Sequence, residues 1–135
     1  MRIAPDLLDA IVEHARRDAP NECCGMVATR DGQAVSVHAA TNTAASPFRF
    51  EVDGLELHHT LTGIEDAGYE LGAIYHSHTR SEPYPSQTDV NFAANWPGVE
   101  WIIVGMKPGP DPPDPVVRSY LIDGGEITEV AVDVD

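Results

Sequence analysis

Leu71-Gly72-Ala73-Ile74-Tyr75-His76-Ser77-His78 is the stretch on which the reading of this chain turns. Its small and apolar residues, bounded by polar and Gly-containing segments, read as a strand. Side chains two apart on a strand point to the same face, so the imidazoles of His76 and His78 can meet one metal ion. The next segment, Thr79 to Pro85, is a seven-residue loop with two prolines. Ser86 to Asn95 then reads as a short helix. The loop is long enough to bring Asp89, on the first turn of that helix, back over the strand end. Two neutral imidazole nitrogens and one carboxylate oxygen form a set that zinc takes readily. Three protein ligands leave a fourth position for water, which marks a catalytic rather than a structural site.

Each piece has a plainer reading. A His-x-His arises by chance, and Ser86-x-x-Asp89 alone is better read as a capping box at a helix start. Asp89 is not expected to act as both cap and ligand, whereas Ser86 can cap and still aim its hydroxyl at a substrate. Paired histidines, serine and aspartate together at fixed offsets favour the site.

Outward from this segment the pattern is one of alternating helices and strands. Pro5 opens an amphipathic helix carrying Leu7, Leu8, Ile11, Val12 and Ala15, which stops near Pro20. Cys23 to Thr29 and Ala34 to Ala39 read as strands around the turn Arg30-Asp31-Gly32. Thr41 to Pro47 is a loop. Phe48, Phe50 and Val52 alternate with Arg49 and Glu51, which predicts a half-buried strand. Leu55 to Ala67 is a helix and Trp101 to Met106 a buried strand. Lys107 to Pro115 is a Pro- and Gly-rich loop. Val116 to Ile122 and Ile127 to Val132 form a closing hairpin around Asp123-Gly124-Gly125. A mixed sheet with two substantial helices and one short one is an α+β or α/β single domain.

At 135 residues one hydrophobic core is expected, and no disulfide framework is needed. Twenty-two carboxylates against eight Lys and Arg give a net charge of −14, which makes nucleic acid and anionic membrane surfaces poor partners. That acidity fits either a salty cytoplasm or ordinary solubility. No apolar run approaches the roughly 18 residues of a membrane span, and the N-terminus lacks a signal-peptide pattern, so a cytoplasmic location is expected. The adjacent Cys23 and Cys24 close no loop and read as reduced strand residues. His14, His38, His58 and His59 read as surface or core-edge residues.

A metal-activated water still needs a group to carry its proton to the departing amine. Glu22, in Asn21-Glu22-Cys23-Cys24-Gly25, stands at the mouth of an otherwise apolar strand and offers one. A helix-flanking surface glutamate is the alternative, and the residues alone leave the two even.

Together, Glu22, His76-Ser77-His78, seven residues, Ser86, two residues and Asp89 resemble the complete signature of the JAMM (MPN-plus) metalloproteases. The likeness covers most of the chain, including the first helix, Ser46-Pro47 with Phe50, Tyr84-Pro85-Ser86 and the final hairpin. It implies a single JAMM/MPN-type domain over residues 1–135, with a cytidine-deaminase-like architecture of mixed β-sheet flanked by helices. It implies one zinc ion on His76, His78 and Asp89, with Glu22 as general acid/base and Ser86 steadying the oxyanion. The chain most resembles the compact bacterial branch that acts on ubiquitin-like sulfur-carrier proteins ending in Gly-Gly. One member type there releases cysteine from such a carrier, in cysteine biosynthesis.

Two features depart from relatives. Thr79 stands where many have proline, and the insertions with which eukaryotic deubiquitinases grip ubiquitin have little room here. Competing expectations are an isopeptidase that removes ubiquitin-like modifiers from protein lysines, and a non-catalytic MPN scaffold, which would usually lack the metal ligands. A RadC-type protein fits poorly because the residues after His78 differ and the surface is acidic. A zinc deaminase would need a Cys-x-x-Cys pair that is absent.

Overall fold

Proline at the first helical position starts α1 (Pro5–Asp18) with its fixed φ and its missing N–H where no partner is required. Ile11 and Ala15, on one side of this helix, are fully buried against the sheet. The computed structural model describes residues 1–106 and 115–135. Its strands are β1 (Arg2–Ile3), β2 (Cys24–Arg30), β3 (Gln33–Ala40), β4 (Glu70–His78), β5 (Glu100–Gly105), β6 (Val116–Asp123), β7 (Glu126–Val130) and β8 (Asp133–Val134). Two further helices, α2 (Gly54–Asp66) and α3 (Gln87–Ala93), lie among the described residues. The expected loop from Lys107 to Pro115 falls almost wholly outside the described residues.

All eight strands join one mixed sheet in the order β7-β6-β5-β4-β2-β3-β1-β8. β4 lies in the interior, antiparallel to β2 and parallel to β5. Its side chains alternate between two cores, as the period of two requires. Ala73 and Tyr75 join Ile11, Ala15, Val27, Ile102 and Val104 beneath α1. Ile74, on the opposite face, packs with Trp101, Ile103 and Tyr120. His76 and His78 continue the Ile74 face, the side on which α3 lies. No described helix is long and apolar enough to cross a membrane.

The helices and longer strands fall within a few residues of the sequence reading. β1 and β8 were not anticipated, because two-residue strands carry no periodicity. A correction concerns Phe48 to Val52, which form no strand. Their alternation is real, but Phe48 is 72% exposed, and the segment is held by the Asn42 side chain and one backbone bond to Thr43 rather than by a ladder.

Tyr75 also explains a glycine. Its ring lies over Gly25 of the neighbouring strand, and a Cβ built there would fall 2.2 Å from the ring. Because Tyr75 is wholly buried and its hydroxyl donates to His14 Nδ1 at 2.7 Å, it has little freedom to retreat. Gly25→Ala is therefore expected to destabilise the protein by about 1–3 kcal/mol through overpacking, measured as a lowered urea midpoint with unchanged slope.

Candidate active site

The C-terminal end of β4, the start of β2 and the first turn of α3 converge. Ser77 turns away from the histidines to the opposite face, where its Oγ accepts from the Cys23 N–H at 2.8 Å. That bond fixes the backbone beside Glu22 against the strand that carries His76 and His78. His78 Nδ1 lies 2.8 Å from the Glu82 carbonyl, a contact that requires it to donate. Its Nε2 is then left as a lone-pair donor facing the cleft.

His76 Nε2, His78 Nε2 and Asp89 Oδ2 meet at one point. The two nitrogens are 3.0 Å apart, and Asp89 Oδ2 is 3.1 Å from His76 and 3.3 Å from His78. All three residues are buried. Three electron-pair donors held this close without other company are mutually repulsive unless a proton or cation sits among them. Their chemistry, two imidazoles and a carboxylate, fits zinc. Phe50 stacks on the His76 ring at 4.8 Å between centroids and closes one side.

Asp89 meets the helix cap and the two histidines with the same oxygen, a combination the spacing alone does not favour. Oδ2 accepts from the Ser86 N–H at 3.0 Å while Ser86 Oγ accepts from the Asp89 N–H at 3.1 Å, a reciprocal capping box. The same Oδ2 faces the histidines. A first-turn carboxylate reaches back past the helix end, and here that end abuts β4, so one oxygen serves both. Burial pushes the Asp89 carboxyl upward, but its bonds to His76 and His78 outweigh this and hold it well below the usual carboxylate range. Burial opposes the charging of His78, yet the Asp89 bond prevails and raises it.

Glu22 is only 5% exposed, so the surface-glutamate alternative fails. Burial pushes its carboxyl up to about 7; the facing His78 pulls it down and Asp89 raises it further. A carboxyl poised there can accept and return a proton near neutrality. Glu22, His78, Ser86 and Asp89 line one cleft of about 80 Å³, together with Phe48, Arg49 and Phe50. The five residues singled out in the sequence thus come together. Ser86 Oγ uses a lone pair for the cap, so its hydroxyl hydrogen remains to be donated elsewhere.

Other expectations divide. His58 and His59 are exposed and His38 is half-buried. His14 is buried between the Tyr75 hydroxyl and Asp18, and burial lowers its pKa. Cys23 and Cys24 are free and fully buried, with thiols pushed up to about 11 and about 12 chiefly by that burial, which makes them inert. Asn42, whose side chain bonds the Glu22 carbonyl, goes unremarked in the sequence. An Asn in a polar loop carries no signal until its partners are seen.

Residues 4–122 match the family of prokaryotic homologs of the JAB domain. The CysO-cysteine peptidase of Mycobacterium tuberculosis is 39% identical over 134 residues, covering 98% of this chain and 89% of that one. The desampylase of Haloferax volcanii is 35% identical over 142 residues, covering 100% of this chain and 96% of its own length. A protein of Desulfitobacterium hafniense, solved in solution, superposes with a TM-score of 0.84 at 26% identity, covering 100% of this chain and 93% of that one. With its single mixed sheet, buried His-His-Asp group and near-complete coverage, the chain belongs to the prokaryotic JAB family of JAMM metallopeptidases.

Proposed function

We propose that this protein hydrolyses the bond after the C-terminal Gly-Gly of a ubiquitin-like sulfur-carrier protein and releases cysteine, acting in the cytoplasm with residues 1–135 as one catalytic unit. The observation that carries the reading is the shared cleft. It joins a buried acid poised near neutrality to a buried His-His-Asp group and a serine with a free hydroxyl hydrogen. Similarity to the CysO-cysteine peptidase over nearly the whole chain supports the substrate class.

In this reading His76, His78 and Asp89 hold one zinc ion. Zinc would supply Lewis acidity and bring the pKa of a water from 15.7 to about 7. Glu22 takes the water proton during attack, and the same carboxyl then hands it to the leaving amine. Ser86 donates its hydroxyl hydrogen to the oxyanion that develops on the scissile carbonyl. Phe50, stacked on His76 and backed by Phe92, screens this end of the cleft from bulk water, which strengthens each of these interactions. A tail ending in two glycines suits so small a cleft because it brings no side chains to it.

Isopeptide cleavage is a second reading with a specific observation in its favour, the 35% identity to the Haloferax desampylase over the full chain. Intact mass separates the two. A carrier ending in Gly-Gly-Cys is incubated with zinc-loaded protein, and loss of one cysteine is expected. An intact adduct, with cleavage only of a carrier joined to a lysine side chain, overturns cysteine release in favour of the second reading.

A further inference from the structure

Asn42 spends every hydrogen-bonding position of its side chain inside the protein. Its Nδ2 donates to the Glu22 carbonyl at 2.9 Å and to the Arg49 carbonyl at 3.0 Å. Its Oδ1 accepts from the Ala44 N–H and the Glu51 N–H, each at 3.0 Å. An amide has two N–H hydrogens and one carbonyl oxygen with two lone pairs, so nothing is left over. The partners are telling. Three lie within residues 42–51, a compact loop also tied at its neck by the Thr43 N–H to the Glu51 carbonyl at 2.9 Å. The fourth, outside the loop, is the backbone of Glu22.

The loop grips Glu22 from its other side too, since the Glu22 N–H donates to the Ser46 carbonyl at 2.9 Å. The peptide groups flanking this side chain are therefore held by the loop, at the Glu22 N–H and carbonyl, as well as by the Cys23 N–H bond to Ser77 of β4. Thr79, the residue that departs from the proline of many relatives, adds a further tie. Its hydroxyl reaches the carbonyls of Pro20 and Pro47, at 2.9 and 3.1 Å, binding the loop to the β4 end and to the approach to Glu22. The same loop carries Phe48, Arg49 and Phe50 to the cleft, with Phe50 against His76.

We infer that Asn42 is a positioning residue for catalysis: its side-chain amide ties the Glu22 backbone to the 42–51 loop and so holds the Glu22 carboxyl in place at the cleft. It touches none of His76, His78 and Asp89 and so leaves metal binding alone. The inference rests on the role of Glu22 as general acid/base.

The variant that tests it is Asn42→Asp, which matches the shape and keeps the two accepted bonds but sets a carboxylate oxygen against the carbonyls of Glu22 and Arg49. Zinc content is expected to match wild type, while kcat on the Gly-Gly-Cys carrier falls about 10- to 100-fold. In a Glu22→Gln background the same change is expected to have no further effect on residual kcat, because Asn42 acts through Glu22. In metal-free protein, amide hydrogen exchange at Glu22 and Glu51 is expected to speed up at least about tenfold, with β4 unchanged. Asn42→Ser, which brings no charge, gives the same comparison should the aspartate prevent folding.

Unchanged exchange, an unchanged kcat, a further loss in the Glu22→Gln background, or zinc lost together with activity would each overturn the assignment. Wild-type protein inactive on every carrier adduct would instead count against the proposed substrate. Asn42 would then stand or fall on the exchange measurement.

Discussion

Glu22→Gln is expected to keep its zinc, to lose about 10²–10⁴-fold in kcat, and to make the metal-free protein more stable at pH 8. The last effect follows from burial. An ordinary glutamate carboxyl sits near 4.5, and here it is pushed up to about 7 because its charged form is shielded from water. The folded protein thus holds the proton more tightly than the unfolded chain, and stability falls as pH rises from 4.5 through 7. Well above 7 the ionised carboxylate costs the fold about 3 kcal/mol, a burden that glutamine does not carry. Urea unfolding of both metal-free proteins at pH 5 and pH 8 checks this. The two curves should nearly coincide at pH 5 and separate at pH 8, with the variant higher. Zinc bound beside Glu22 draws its pKa down, so the contrast is greatest without metal. Equal stability at pH 8 would show that Glu22 is solvated, and with it would go the reason for its poise near neutrality.

Asp89→Ala removes one oxygen with three partners, and its expected cost is correspondingly large. Zinc should no longer be retained at stoichiometric concentrations, since two imidazoles replace a three-ligand set. The metal-free fold should lose about 3 kcal/mol, because the buried histidines lose their hydrogen-bonding carboxylate and the α3 start loses its reciprocal cap. Asp89→Asn separates these contributions. Its amide oxygen can still accept from the Ser86 N–H, so the helix keeps most of its cap while the charge is gone. The pH signature runs opposite to that of Glu22. A carboxyl held below its ordinary range gives stability that is full above pH 4 and drains as pH falls through the folded value. That acid-side drop should be shallower in Asp89→Asn. Zinc retained by Asp89→Ala, measured by metal analysis after gel filtration, would remove Asp89 from the site.

The convergence of His76, His78 and Asp89 was legible in the sequence because it is local. His76 and His78 share a face by strand period alone, and Asp89 returns to them over a short loop into a recognisable helix start. Glu22 was half legible: its apolar context was visible, but its burial depends on Ser77 meeting Cys23 across the sheet and on residues 42–51 folding over it. The strand expected at Phe48 to Val52 failed for a related reason. Alternation reports where side chains would point if the backbone were extended and paired, and this segment has Asn42 in place of a pairing strand. β1 and β8 are too short for any pattern, being held by pairing with each other and by β3. Asp89 was read as cap or ligand because chain distance says nothing of how closely a helix end abuts a strand.

The interior position of β4 between β2 and β5 has a consequence for how the chain matures. His76 and Asp89 lie 13 positions apart, so the group that would hold the metal can assemble from a short stretch of chain soon after it is made. Glu22 is different. Its alignment depends on contacts such as Cys23 with Ser77, 54 positions apart, which belong to the slow, topologically distant part of the search for the native state. Chain separation alone thus predicts that the His-His-Asp group closes before Glu22 is aligned, which pulsed hydrogen exchange during refolding of the metal-free protein would check. A nascent or partly unfolded chain could carry the ion yet remain harmless to the peptide bonds around it.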